Sequence, residues 1–434
     1  EYKLQTSKDL STPITETAIV GMFNSISDIQ NNIHTLDKLL YQAANYDRNR
    51  SGPRVYVEFD PGGTGSTSYR ALLYGGHHSA PDHFLGGAWA AANIEFEIEW
   101  TRRPYWEGAL IQIPLTNKYG SANTAGLQVD NTDDANRDNW ASIAAADVAG
   151  DLPAPVKVQM VNATNGASAT DEVFIFHNVH STPGSFVHVI EAEASVFNSS
   201  SSAFTFSSSA NTSDSAGSYA ILTWPSTSLQ KIGEWDLSAN ELSYAAGGRF
   251  ALLTKWHGLF PYSNCWLRFQ LETTTNHDVV WQGNLALPSA TASGRQITML
   301  DTVRLPPYLT GLTTIGQLQL VLYAYRTTGT NTINLDFIQL APISADSGWL
   351  RFKAPTRGVP YNETFIHDAT EGWNYHIDGS NNYLGEFTQY GGPVLLFPGM
   401  DQKLYFLTSD YLGVSQPAQA WTVKLWYRPR RTSI

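Results

Sequence analysis

Three carboxylates stand at the two ends of one internal block. Glu191 and Glu193 lie in VHVIEAEASVF (187–197), and Asp336 lies in TINLDFIQLAP (332–342). Alternation along a strand puts Glu191 and Glu193 on one side of it. If the opening and closing strands of the block run side by side, Asp336 joins them. Three carboxylates in one place repel unless a hard cation links them, and calcium is the usual one. The chemistry on offer is a metal tie between the first and last strands of a sandwich.

Other reactive side chains have plainer readings. His77, His78 and His83 with Asp82 lie in a turn-like loop and could bind a metal, but read as surface polar residues. Asp130, Asp133 and Asp134 share the loop DNTDDANRDNW, which lacks the glycine and distal glutamate of an EF-hand. Glu95, Glu97 and Glu99 alternate with Ile94, Phe96, Ile98 and Trp100, the pattern of a strand with one solvated face. His177, His180 and His188 fall in strand-like sequence without a partner carboxylate pattern. Cys265, the single cysteine, sits in NCWLRFQL and reads as a small buried hydrophobe. No G-x-S-x-G, H-E-x-x-H, P-loop or G-x-G-x-x-G pattern occurs in a suitable setting. The chain reads as a non-enzyme.

Strands must position these residues. Of 434 residues only 15% are charged, while 13 Trp and 21 Tyr supply large aromatic anchors. That length allows two to four domains. The net charge of −12 argues against nucleic acid as the main partner. Arg428, Arg430 and Arg431 form the strongest basic run and read as a solvated chain end. No stretch approaches the roughly 18 apolar residues of a membrane span, and none reads as a signal peptide.

One helix is expected, over 25–44, where Ile26, Ile29, Ile33, Leu36 and Leu40 recur at spacings of three and four. A single apolar stripe must be buried, and the neighbouring sequence offers only short strands. The stripe and strand 93–100 are therefore expected at contacts between subunits or N-terminal domains. Elsewhere short strands alternate with Gly, Ser, Thr and Asn turns. Within 187–342 their close spacing predicts a jelly roll. Segments 198–216 and 354–392 read as loop-rich. The expected fold is all-β, with several β-sandwich or jelly-roll domains and one N-terminal amphipathic helix. Its parts are an N-terminal β-domain over 1–110, a sandwich segment over 111–186, and the jelly roll over 187–342. A C-terminal β segment, 343–434, is expected to pack with 1–186.

The ends of the central block resemble carbohydrate-binding modules of family 6 and its relatives. In that family a Glu-x-Glu start and an Asn-x-Asp-aromatic end share a structural calcium, which the resemblance places on Glu191, Glu193 and Asp336. GGRFALL (247–253) is similar to the family's Gly-x-aromatic core strand. The resemblance further implies aromatic residues stacked on sugar rings. Trp256 and Tyr262 flank the turn HGLFPYSN and lead the candidates, followed by Trp235 and Trp281. The plainer reading puts such rings in the sandwich core.

The flanks carry a second resemblance. The helix-to-strand passage LLYQAANYDRNRSGPRVYVEFD, the junction at 152–158 and the closing stretch at 426–430 resemble distal tail proteins of phages and phage-like particles. That class implies a virion location in the tail, and a ring or tube of identical copies contacting other tail proteins. The inserted block would then face a host surface glycan. Two other readings stand beside it: a secreted or cell-surface carbohydrate-binding protein, and a glycan-active enzyme with an appended binding module.

Overall fold

The computed structural model describes residues 12–22, 26–49, 52–62, 67–79, 94–117, 120–122, 124–131, 139–163, 170–179, 188–196, 205–211, 214–225, 227–237, 248–258, 260–288, 297–305, 318–327, 331–343, 348–354, 358–410 and 420–433. Among them strands dominate and one α-helix occurs, so the fold is all-β. Two units emerge. The first comprises 1–111, 149–153 and 428–434; the second comprises 112–148 and 154–427.

In the first unit, Ile14–Met22 pairs antiparallel with Ile94–Arg102, which pairs with Tyr69–His78. Phe96 is buried while Glu95 and Glu97 are exposed, as strict alternation requires. The helix runs over Ile26–Asn49, about a turn longer than its apolar stripe suggests. Asp28 in its first turn and Arg48 in its last complement the helix dipole. Ile29 and Ile33 pack with Phe96, and Leu40 and Ala43 pack with Val55 and Leu73. The stripe is thus covered by the chain's own sheet, which overturns the expectation that it joins subunits. Gly76 lets the helix come this close. A Cβ there would stand 2.3 Å from the Glu99 carbonyl oxygen and 3.1 Å from Leu40 Cδ2.

The C-terminal arginines also depart from expectation. Arg430–Arg431 forms a strand with Trp106–Glu107. The Arg430 guanidinium donates to Glu107 Oε1 at 3.0 Å and lies over the Tyr105 ring at 4.2 Å. Arg428 donates to the Gly108 carbonyl. Arg430 belongs to the sheet because buried Glu107 needs a counter-ion, while Arg431 is exposed.

The second unit holds two sandwiches. One stacks a seven-stranded sheet on an eight-stranded sheet, with strands from both flanks of the central block interleaved. Thr170–Asn178 lies between Trp349–Lys353 and Gln402–Asp410, and Ala154–Asn162 lies between Thr364–Asp368 and Trp421–Tyr427. Their inner faces supply Val156, Val158, Phe352, Phe365 and Trp421 to one core. The segment expected to be loop-rich contains the strands Thr364–Asp368, Trp373–Ile377 and Tyr383–Glu386.

The other sandwich comes from the inserted block. Its six-stranded sheet centres on Asn331–Pro342, flanked by His188–Glu191, Ser218–Trp224 and Arg249–Trp256. Four strands face it, in the order Gln230–Asp236, Leu318–Arg326, Cys265–Thr273 and Val279–Gln282. Thr205–Ala210 is a strand within the expected 198–216 loop. Cys265 is buried in this core, as its apolar neighbours suggest. A third cluster, including Phe174, Phe176, Leu253, Phe337 and Leu407, packs between the two sandwiches.

Candidate functional site

Glu191 and Asp336 share Ser215 as a donor, while Glu193 takes Ser218. Glu191 ends the strand His188–Glu191 opposite Phe337, and Glu193 lies in the 3-10 turn Ala192–Ala194. Glu-x-Glu therefore does not share one extended strand, as alternation had implied. Ser215 Oγ donates to Glu191 Oε1 at 2.8 Å, and Ser218 Oγ donates to Glu193 Oε1 at 2.7 Å. Asp336 accepts the Ser215 amide at 2.9 Å through Oδ1. Its Oδ2 contacts the ammonium of Lys255, which is also 3.6 Å from Asp214 Oδ1. Lys255 and Asp336 are both essentially inaccessible.

Calcium needs six to eight oxygen ligands. Here an ammonium already contacts Asp336 Oδ2. Among the described residues, no group of three His, Cys, Asp or Glu side chains is arranged to hold a metal. At Asp336 the residues present do not fit calcium, because Lys255 supplies the positive charge there; Glu191 and Glu193 are bound by serine hydroxyls instead. Burial pushes the Asp336 carboxyl above the usual carboxylate range; Lys255 pulls it back, while Asp214 and Glu191 push it further.

The network reaches the surface at His257. Its Nδ1 lies 2.6 Å from Asp214 Oδ2, and its ring stacks on Tyr219 with centroids 3.8 Å apart. The sequence signal for this network is a lysine inside the apolar strand RFALLTKW. A charge there must be paired.

Three of the four aromatic candidates are committed to the fold. Trp256 is 1% exposed, its Nε1 donates to Thr298 Oγ1 at 3.3 Å, and its ring packs on Phe260. Trp235 is equally buried and its Nε1 donates to the Ala192 carbonyl at 2.9 Å. Tyr262 is half-buried: the Thr332 amide donates to its hydroxyl, and the Arg326 guanidinium covers its ring at 3.8 Å. Trp281 is half-buried against the core. This corrects the sugar-stacking assignment of Trp256, Tyr262 and Trp235. Inward alternation and the polar tips of these rings commit them to the fold. Exposed rings lie instead on the other sandwich, at Trp373 and Tyr383.

The histidines divide similarly. His78 Nε2 lies 2.7 Å from Asp37 Oδ1 and ties strand to helix, while His77 is exposed. His83, Asp82 and His180 lie outside the described residues. His177 is fully buried, with Nε2 3.0 Å from Gln402 Oε1. Gln402 Nε2 donates to the Phe397 and Met400 carbonyls, which fixes Oε1 as an acceptor. His177 therefore carries its proton on Nε2. Burial pushes its pKa down to about 4, with the Gln402 bond opposing.

No protein-family model matches the chain, and no curated protein does. Two solved structures bear a faint likeness. T=1 particles derived from infectious bursal virus share 8% identity over 96% of this chain and 78% of that one, with a TM-score of 0.20. Infectious bursal disease virus, Gx strain, shares 8% identity over 96% of this chain and 80% of that one, with a TM-score of 0.18. At these scores the likeness carries no argument about function.

Proposed function

We propose that the chain is a structural subunit of a phage-like tail, a ring- or tube-forming virion component that also attaches to a host surface. One observation carries the assembly element: the strand Ile14–Met22 ends its sheet with a full-length free edge among the described residues. All nine of its residues pair in unbroken register with Ile94–Arg102. It contains no proline and no lysine, and its one charge, Glu16, is bound by Arg102. Ile19 is 76% exposed. Natural sheets blunt such edges with bulges, charges or prolines, because open N–H and C=O groups template pairing with another chain. An edge left open over nine residues suits continuation of the sheet into a second copy.

The segments that resemble distal tail proteins support the same reading. Val156 lies opposite Tyr427, and Leu152 forms a bridge with Arg430. The two segments therefore lie side by side, which a motif shared between them would need.

Negative-stain microscopy of the purified chain tests this, with Thr17→Pro and Ala18→Pro as paired variants. Neighbouring residues of an edge strand direct their N–H groups to opposite sides, so one of the two prolines removes only an outward donor. Rings or tubes in the wild type, lost in a variant that retains its fold, are expected. A wild type that stays monomeric, or assembly in both variants, overturns the reading.

A further inference from the structure

The outer face of the eight-stranded sheet carries a row of rings. Along Trp373–Ile377, His376 points inward, with its ring centroid 6.0 Å from that of Phe387. Trp373 and Tyr375 therefore point outward. Tyr383, on the neighbouring strand, joins them: Tyr375 and Tyr383 have centroids 6.1 Å apart at 37°, and Trp373 and Tyr375 6.5 Å apart at 82°. Trp373 is 55% exposed and Tyr383 is 57% exposed.

Charged groups border each ring. The register sets Asp368 opposite Trp373, and Glu386 opposite Tyr375. Lys157 lies 3.5 Å from Asp368 Oδ2 on the next strand. The hairpin that presents Tyr383 is held by Asp378, which accepts the amides of Ser380 and Asn382. The row is thus preformed on rigid strands, which lowers the ordering cost of binding.

We propose that this face binds a saccharide chain. Trp373 and Tyr383, the two exposed rings, stack on the C–H faces of sugar rings along the chain, with the half-buried Tyr375 set edge-to-face against Trp373 between them, and Asp368, Glu386 and Lys157 bond their hydroxyls. The interleaved charges favour a sugar over a protein partner, because charged residues are depleted from protein interface cores. Asp368 already accepts the Thr370 and Glu371 amides and pairs with Lys157, so a neutral hydroxylated ligand can add bonds there directly or through water without stranding a charge. The inference rests on the attachment element of the proposed function, not on its assembly element, and moves attachment from the inserted block to the sandwich that carries it.

Isothermal titration of the full chain with cello-, xylo-, manno- and chito-hexaose tests it, with particle assembly read on the same samples. At least one hexaose is expected to bind. Trp373→Ala and Tyr383→Ala should each weaken that binding about tenfold or more, with assembly and melting unchanged. Trp281→Ala should bind as the wild type. Failure of every hexaose to bind, or wild-type affinity in Trp373→Ala, overturns the site while leaving the assembly reading intact. Loss of assembly in Trp373→Ala also overturns it, because the face would then be a protein contact.

Discussion

The ammonium of Lys255 is held against the carboxylate of Asp336 at a break in strand register. Lys255 lies opposite Phe337 and Trp256 lies opposite Leu335, so Asp336 is the extra residue of a bulge. Before it, Ile333 and Leu335 face the core of the inserted sandwich; after it, Ile338 and Leu340 do, while Phe337 faces the other cluster. The bulge re-aims the strand and turns Asp336 toward Lys255. Removing one partner of a buried pair costs about 3–5 kcal/mol. Lys255→Met should lower stability by that order in denaturant titration, and adding Asp336→Leu should recover much of it. A double variant no more stable than Lys255→Met alone would remove the coupling.

At Asp336 the same pair stands where the resemblance put calcium. A chelator should leave the wild-type melting midpoint unchanged, since nothing bound only to the folded form is withdrawn. A midpoint that falls with chelator and recovers with calcium would restore the metal reading.

Burial separates the aromatic residues. Trp256→Ala should cost about 3–5 kcal/mol by emptying core volume. Trp373→Ala should stay within about 0.5 kcal/mol of wild type, as exposed positions do. Equal costs measured by denaturant unfolding would contradict the assignment of inner and outer rings.

Acid should destabilise the chain through His177. Its folded pKa is lowered from 6.5 to about 4, so the neutral form belongs to the fold. The stability from this group is full above the unfolded value near 6.5. It is lost as pH falls toward 4, by about 3 kcal/mol in all. His177→Gln should flatten the slope of stability between those pH values. An unaltered slope would locate the acid response elsewhere.

Much of the fold was legible because local pattern and tertiary demand agreed. The spacing of Ile29, Ile33, Leu36 and Leu40 marks the helix, and strict alternation marks the strand from Ile94 to Trp100. The stripe's destination was less legible, since the paired glycines at 75 and 76 that admit the helix carry no hydrophobic signal. The bulge left only the adjacent pair Phe337 and Ile338 as its trace in the sequence. Lys255 had no sequence-local partner, so its role in place of a metal depended on strands distant in the chain. The outward rings were legible in principle: WNYHI alternates beside the turn signal DGSNN. Their region was instead dominated by Gly, Asn and Asp, which read as loop.

Amide hydrogen exchange along Ile14–Met22, compared between dispersed and assembled protein, tests the assembly account most directly. The account predicts that alternate amides, those directed away from Ile94–Arg102, exchange freely when dispersed and become protected on assembly. Particles that form while those amides exchange at an unchanged rate would contradict it.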